Sequence, residues 1–557
     1  MGIGTRIIDG IRAAFSPRAA IRTHYERRQL AKIEAIGTEL DRRRRDALAG
    51  GGYHSAEKSR DSHSWMTSRL SPDSSLEADR EEMCLRADSA YKNYELATNH
   101  VEGRVVRVAG SGMTVEPEIG FDVEFDNPIS EETGNRWNEK LRINWDRTCE
   151  RIGRNGEELW EIQHSLQRNY ERRMEWFLLV GDEYDPLAPT SLKVESIDPD
   201  RVSTPPGKEG DKTVRMGIKL NAMGRGVGCY VRDTHPGDTL EVKQTWTYYP
   251  FFLKNGLPRM IHHFVRFWDG QHRGYPRMQV GLKRLKNSEE YSDAELERNY
   301  IAACFAAIVR TDLDPEDMQD AMGHVADSSG KRVKEISPGQ FHYIGPSDQI
   351  EMAEPSGPSG SFTPYMDHAA RMFAAGAGTS AELLTGNWQG LSYSAGRVIW
   401  NIEEATTAII QLGHEKTIKW LYRHFVTRAI NVGIIDVDSA AYRSDPWTYW
   451  ASRVIYPPKA SIDPAREDRN EMVKVEAGLM PASELVERYN GKTARQVYAA
   501  VKRDRDLREE FEIEVHMPQM GRDQELMPDA DGSGPTQPGD TNQESSDANS
   551  ERQAVGK

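Results

Sequence analysis

Cysteine is scarce in this 557-residue chain. Cys84, Cys149, Cys229 and Cys304 lie far apart and form no CxxC pair. That spacing excludes a disulfide framework and a zinc ribbon. Long apolar runs are missing as well: no stretch approaches the ~20 residues that a membrane-spanning helix requires. The mildly amphipathic stretch 1–15 carries Asp9 and Arg12 where a signal peptide keeps an unbroken apolar core. There is no GxxxxGK[ST], and the Gly-rich runs at 224–228 and 376–378 lack both the Lys and the strand–loop–helix setting of a phosphate cradle. HExxH is absent, and Gly390-Leu391-Ser392-Tyr393-Ser394 is not a GxSxG elbow. No metal site and no cofactor motif is expected. His262 and His263 are neighbours on a β-like run and so face opposite sides, which with His272 reads as structural histidine rather than as a ligand set. Positive charge is in deficit, 72 Lys and Arg against 87 Asp and Glu, a formal net charge of −15. That excludes a protein that coats nucleic acid, but not one past which nucleic acid slides.

What is present is enough chain for about three to four domains and a substantial core. The first ~70 residues are basic and uneven, with Arg27, Arg28 and Arg42 to Arg45 before Gly50-Gly51-Gly52. Ser75 to His100 has helical spacing, and Val101 to Val108 then turns β-like. A second helical tract runs from Trp145 to about Phe177. Short β-type runs follow at 176–180, 192–197, 215–220, 240–248 and 261–268. A helical region opens near Val280, with a capping box read at Ser292–Glu295 and an Ala-rich run through Ala302, Ala303, Ala306 and Ala307. Asp314-Pro315 ends it. Helix returns at about 365–375, and a Gly- and Ser-rich loop then leads into the longest helical pattern in the chain. There Val398, Ile402, Ala405, Ile409 and Leu412 step by 4, 3, 4 and 3. Short helices follow Asp463-Pro464 and Thr493, with a stop at Gly478. The helix–turn–helix-like stretch 464–489 carries Glu484 and Glu487 where a phosphate-facing helix avoids them, so packing is its expected role. Beyond about Met517 the composition cannot support a packed core.

Ser392-Tyr393-Ser394-Ala395-Gly396-Arg397, with Glu403 and Glu404 behind it, is similar to the N-Y-S-S-x-R…E signature of the lambda-type bacteriophage portal proteins. Ser461-Ile462-Asp463-Pro464-Ala465-Arg466-Glu467 resembles their x-I-D-P-x-K-E, and Gly478-Leu479 follows at the family's spacing. Ile336-Ser337-Pro338-Gly339, Arg371–Leu384 and Tyr91–Gly112 are similar to three further family stretches. The resemblance covers roughly residues 75–515 in order. Leu391 stands where the family has Asn, and Gln340 where it has Glu.

The resemblance implies an α+β, mainly helical portal fold, not an enzyme, assembling as a ring of twelve at one capsid vertex. Double-stranded DNA would pass through the ring during packaging and ejection. The implied parts are an α+β wing (75–280), a stem helix (281–313), a clip (314–357), a second stem helix (358–383), a tunnel loop (384–394), a long helix and wing return (395–459) and crown helices (460–517); a basic N-terminal arm (1–74) and a disordered tail (518–557), read from composition alone, flank them. Asn387, Trp388, Gln389, Leu391, Ser392 and Tyr393 would meet DNA in the channel. Ala303 and Ala307 would pack between subunits of the stem. Implied partners are the terminase large subunit, the major capsid protein or scaffold, and a head–tail connector, with no membrane. The implied location is the virion vertex, after assembly in the host cytoplasm. The competing reading, a metal-dependent nuclease or hydrolase of viral assembly, requires clustered acidic ligands, and the sequence shows none.

Overall fold

The computed structural model describes residues 70–120, 129–238, 244–310, 340–344, 360, 362–458 and 464–511. Nearly all of the basic arm, the expected clip apart from 340–344, and the expected tail lie outside the described residues.

The chain opens with two helices, α1 (Pro72–Asn93) and α2 (Glu95–Val108), broken at Tyr94, whose backbone is extended (φ −119°, ψ 124°). The β-like reading of 101–108 is therefore corrected: the segment is helical. Ala97, Val101, Val105 and Val108 are buried at helical steps, so packing outweighs the strand preference of valine. Strand β1 (Thr114–Pro117) follows. The expected single tract from Trp145 is instead two helices, α3 (Glu131–Cys149) and α4 (Leu159–Arg173). The next strands are β2 (Glu175–Asp182), β3 (Leu192–Ile197), β4 (Val214–Arg215), β5 (Ile218–Leu220), β6 (Gly226–Arg232), β7 (Trp246–Pro250) and β8 (Met260–Phe264). The run expected at 215–220 folds into a hairpin at Met216-Gly217, where both residues have positive φ. Strand β6 lies in the Gly-rich run that gave no strand signal. Near Gly228 the Tyr248 ring fills the space that a Cβ would take. Strands pair as β3-β2-β8 and as β4-β5-β6-β7, all antiparallel.

Helix α5 (Gln279–Cys304) passes straight through Ser292–Glu295, so the expected capping box is an interior segment. The helix ends at Cys304 rather than at 313. Strand β9 (Phe305–Arg310) replaces its expected last turns and pairs in parallel with β10 (Gln340–Ile344). Ala303 thus ends a helix while Ala307 sits in a strand, and the two do not share a helix face. The β-branched pair Ile308-Val309 beside the alanines favours this extended form once β10 supplies backbone partners. Helices α6 (Phe362–Ala377), α7 (Ala381–Thr385) and α8 (Tyr393–Val432) follow. The chain then forms α9 (Ser439–Ser444), α10 (Pro446–Tyr449) and β11 (Ser452–Ile455), which pairs antiparallel with β1. Three helices, α11 (Pro464–Glu476), α12 (Ala482–Asn490) and α13 (Ala494–Glu510), end the described chain. Thr493 and Gln496 form the expected capping box of α13. Glu487 of α12 is buried and grips Arg453, which gives the helix–turn–helix-like stretch its packing role.

Strand β2 is buried on both faces and feeds two cores. Trp176, Leu178 and Val180 join Trp145, Tyr170, Tyr422 and Phe425 in the main core, against α4 and the second half of α8. Phe177 and Leu179 point the other way, into a core between the two sheets. A third core is a small bundle of α1, α2, α5 and α6 packed through Ala87, Ala90, Ala97, Phe373, Ala374 and Ala377. Helix α8 runs unbroken through Gly413. Its missing Cβ makes a notch: an added Cβ would lie 2.8 Å from the His263 ring and 3.0 Å from Trp176.

Buried imidazoles give this fold a distinctive acid response. Burial pushes His414 down to about 3 and His263 and His424 down to about 4, and it lowers His262 as well. These rings are neutral in the fold, whereas in the unfolded chain they take protons near 6.5. Their contribution is complete above about pH 6.5 and is lost as pH falls toward 4. Three carboxyls raised by burial work in the opposite sense: Glu116, pushed up to about 7, and, by less, Asp146 and Glu289. His272, raised by its bond to Asp73, acts only above its ordinary 6.5. The four imidazoles outweigh Glu116, the one carboxyl moved far, so the thermal midpoint is expected to fall between pH 6.5 and 4. Replacing His414 by Asn should make that fall shallower by about one proton. A midpoint that stays flat across this range would contradict the assignment.

Candidate functional site

The loop between α7 and α8 is built from residue-level caps. Ser380 caps α7, its Oγ accepting from Leu383 N at 3.4 Å, and Gly386 (φ 68°) ends that helix in the left-handed conformation. Asn387 Oδ1 accepts from Gln389 N at 3.1 Å, and Trp388 O accepts from Leu391 N at 3.3 Å. Gly390 (φ 75°) supplies the second left-handed position, which a side chain adopts only with strain. Ser392 then caps α8, its Oγ accepting from Ala395 N at 3.2 Å. Seven residues thus turn the chain from one helix end to the next N-terminus.

Every side chain singled out in the loop stands at or near the surface. Trp388 is 46% exposed and Tyr393 50%. Asn387, Gln389 and Ser392 are exposed, and Leu391 is half-buried. Neither aromatic enters the subunit core. From Gly386 to Tyr393 there is no charged residue. A hollow of about 200 Å³ beside the loop is lined by Asp367, Arg371 and Glu382 among others, and Arg371 there is paired with Glu382 at 3.1 Å.

Both ends of the loop hang from one helix, α2. On the α7 side, Asn99 Nδ2 donates to Leu384 O at 2.6 Å and Arg104 Nη2 donates to Gly378 O at 2.5 Å. On the α8 side, buried Glu403 pairs with Arg104 at 3.2 Å and Arg107 at 3.3 Å. Thr379 Oγ1 donates to the same carboxylate at 3.4 Å. Burial pushes the Arg107 guanidinium down although Glu403 lies beside it. Glu403 was visible in the sequence as part of a signature, but its partners Arg104 and Arg107 were not. Their signal was two arginines three residues apart, on a stretch read as β-like, where they fall on opposite faces.

Among the described residues one group of three potential metal ligands comes together, Asp198, Asp200 and His235. Asp200 is already bound by Arg173 at 2.8 Å. Burial works to raise its pKa, yet that guanidinium holds it below the usual carboxylate range. The three histidines serve packing. His262 stacks on Phe177 and lies 3.3 Å from Glu175, His263 stacks on Trp176, and His272 binds Asp73 at 2.6 Å. No helix among the described residues is long and apolar enough to cross a membrane.

Comparison with known proteins gives the family context. A family model described as phage portal protein, lambda family, matches residues 58–411. The portal protein of Escherichia phage N15 is 24% identical over 345 residues, which is 57% of this chain and 63% of that protein. Portal protein B of Escherichia phage lambda is 24% identical over 222 residues, 37% of this chain and 41% of that one. The matches thus span less than two thirds of each of these relatives. A chain from the neck of a native gene transfer agent particle, computed with C12 symmetry, covers 80% of this chain and 97% of its own length, with 13% identity and a TM-score of 0.34.

Proposed function

The chain belongs to the lambda family of phage portal proteins, a structural rather than an enzymatic family, and from that premise we propose that it forms the ring through which double-stranded DNA enters and leaves a capsid. In this reading twelve copies surround a channel at one vertex of the virion, after assembly in the host cytoplasm. Residues 75–280 form most of the wing. Helix α5 as far as Cys304, together with α6, forms the stem. Residues 314–357 form the clip that meets the terminase large subunit and later the head–tail connector. Residues 460–517 form the crown, and the outer surface meets the major capsid protein or scaffold. Ala303 lies at a stem contact between subunits, with Ala307 beside it on β9.

The observation that carries the reading is the loop 386–392: exposed, uncharged and suspended at both ends from α2. DNA carries one negative charge per ~1.7 Å of axis, and a channel element must touch it without holding it. Trp388, Leu391 and Tyr393 supply bulk. Asn387, Gln389 and Ser392 supply weak hydrogen bonds that do not depend on base sequence. Rigid support comes from α8, whose 40 residues span about 60 Å at ~1.5 Å per residue. The test is the size and shape of the purified full-length chain. Negative-stain microscopy is expected to show closed rings with a central hole, and a chain that stays monomeric at all concentrations would overturn the proposal.

A further inference from the structure

Arg423 is a cation without an anion. It stands half-buried in the packed half of α8, and among the described residues its guanidinium makes no hydrogen bond and no ion pair. Aromatic rings hold it instead. The guanidinium carbon lies 4.5 Å from the ring centre of Trp420, 4.5 Å from that of Trp447 and 5.4 Å from that of Trp450. Trp420 sits one turn before it on α8, while Trp447 belongs to α10 and Trp450 follows directly. Burial pushes the Arg423 pKa down, and no carboxylate lies near enough to offset that. Ring faces attract and orient a guanidinium, but they leave its N–H groups unbonded. Those nitrogens touch solvent. Arg173, more deeply buried, is matched to Asp88 and Asp200, so the fold does supply carboxylates to arginines it encloses.

The surface around this cage is apolar and cationic. Trp447 is 63% exposed, and Phe252, edge-on to Trp420 at 5.9 Å, is 46% exposed. A hollow of about 270 Å³ opens beside Arg423, lined by Leu412, Lys416 and Trp420 among others. Glu415 and Lys419 on the same wall pair with each other at 2.7 Å. Exposed Lys416 has no ion pair among the described residues. Lys416 and Arg423 thus stay open two helical turns apart, about 10 Å along the axis. Tryptophan and arginine are the side chains enriched where binding energy concentrates. Flat aromatic walls with an open guanidinium fork suit a carboxylate next to an apolar side chain. A row of phosphates suits them less: Asp438 and Asp445 cap α9 and α10 on either side of that segment, and the chain as a whole carries −15.

We propose that Arg423 with its three tryptophans is a carboxylate-binding site, and that its occupant is the segment Glu525-Leu526-Met527-Pro528-Asp529 of this chain. The site needs neither a ring nor DNA and so stands apart from the channel reading. Beyond Phe511 the chain runs on for 46 residues that carry ten acids and three bases. From 518 onward they contain one adjacent pair of large apolar residues, Leu526-Met527, and acids flank it on both sides. Glu525 and Asp529 are four residues apart, up to about 13 Å in an extended chain. That span covers the ~10 Å between Arg423 and Lys416, so both cations gain a carboxylate while Leu526 and Met527 cover the exposed rings. The 14 residues from 511 to 525 reach up to about 50 Å, enough to fold back on the body of the subunit. A stretch too polar to build a core still docks where apolar surface and counter-charge are already arranged.

The test reads the exposure of Arg423 in the full-length chain, as its rate of modification by phenylglyoxal followed by mass spectrometry. A tether of this kind holds its segment at about millimolar effective concentration, so a site of about 100 µM intrinsic affinity is about nine-tenths filled. Arg423 is then expected to react about tenfold faster in the full-length variant Glu525→Ala, Leu526→Ser, Met527→Ser, Asp529→Ala than in the wild-type chain. These positions lie beyond the described helices, so the variant keeps the core that carries Arg423. A synthetic peptide of residues 519–532, added in excess to the variant, is expected to restore the slow rate. The same peptide with Glu525→Gln and Asp529→Asn is expected not to. Equal rates in wild type and variant would overturn the proposal, whether Arg423 is open in both or covered in both by something else. Restoration by a single-stranded oligonucleotide and not by the peptide would assign the cage to nucleic acid and overturn it as well.

Discussion

Glu175→Gln is expected to lower the stability of the folded subunit by about 3–5 kcal/mol, the cost of removing one partner from a buried ion pair. Glu175 is fully buried at the start of β2. Its Oε1 accepts from Arg80 Nη2 at 2.5 Å and Arg273 Nη2 at 2.8 Å, and its Oε2 accepts from Gly274 N at 2.9 Å. His262 lies 3.3 Å away. Burial alone raises the pKa of such a group, but Arg273 and Arg80 hold it well below the usual range, so it is ionised in the fold. Gln keeps the shape and loses the charge. Two guanidiniums, each less than a tenth exposed, are then left without their counter-ion in a medium that screens poorly. Arg80 comes from α1 and Arg273 from the stretch after β8, so the residue also ties the helical bundle to the sheets. Urea unfolding of the isolated subunit measures the effect as a lowered midpoint at unchanged slope. A loss below about 1 kcal/mol, typical of exposed pairs, would show that Glu175 does not organise this junction.

Gln389→Lys is expected to have the largest effect on passage of DNA with the least effect on the fold. Residue 389 is exposed and makes no side-chain contact that the loop depends on; its backbone N–H is what Asn387 holds. The substitution should therefore change stability by no more than about 0.5 kcal/mol. In the ring it places one cation per subunit into a loop that otherwise has none. Each phosphate engaged steepens the dependence of log K on log[salt] by about 0.9, and a ring multiplies that by the subunits in contact. Packaging should slow most at low salt and recover as salt screens the lysines. Trp388→Ala is the complementary change, removing bulk without adding charge. It should leave rings intact and weaken retention of packaged DNA. A packaging rate for Gln389→Lys equal to wild type at every salt concentration would remove the loop from the channel wall.

The same residues show how far the sequence reaches. The period of α8 was legible from Val398 to Leu412, and so was the break before it, because Gly, Asn and Ser punctuate a chain strongly. That this face stands exposed rather than packed on the subunit's own core was not legible. Periodicity reports that one face is apolar, and it does so identically whether the face meets its own core or another molecule. Segments 101–108 and 305–310 went opposite ways for one reason: valine and alanine runs take the form their neighbours stabilise. At 101–108 a bundle covered one helical face, and at 305–310 a strand far along the chain supplied hydrogen bonds. The strand at Gly226–Arg232 was hidden because its glycines make room for Phe251 and Tyr248 rather than marking a turn. Glu403 was visible as part of a motif, but its pairing with Arg104 and Arg107 depends on two helices far apart in sequence meeting in space. Glu175 left no trace at all, since a single acid beside a run of apolar residues reads as the end of a strand.

The central claim is that the loop at the N-terminus of α8 faces DNA. Its most direct test is a photoactivatable side chain at position 388 in particles stalled with DNA in the channel. The account predicts that irradiation transfers the label to DNA, with ring assembly unchanged. Label found only on protein, in particles shown to hold DNA across the vertex, would contradict it.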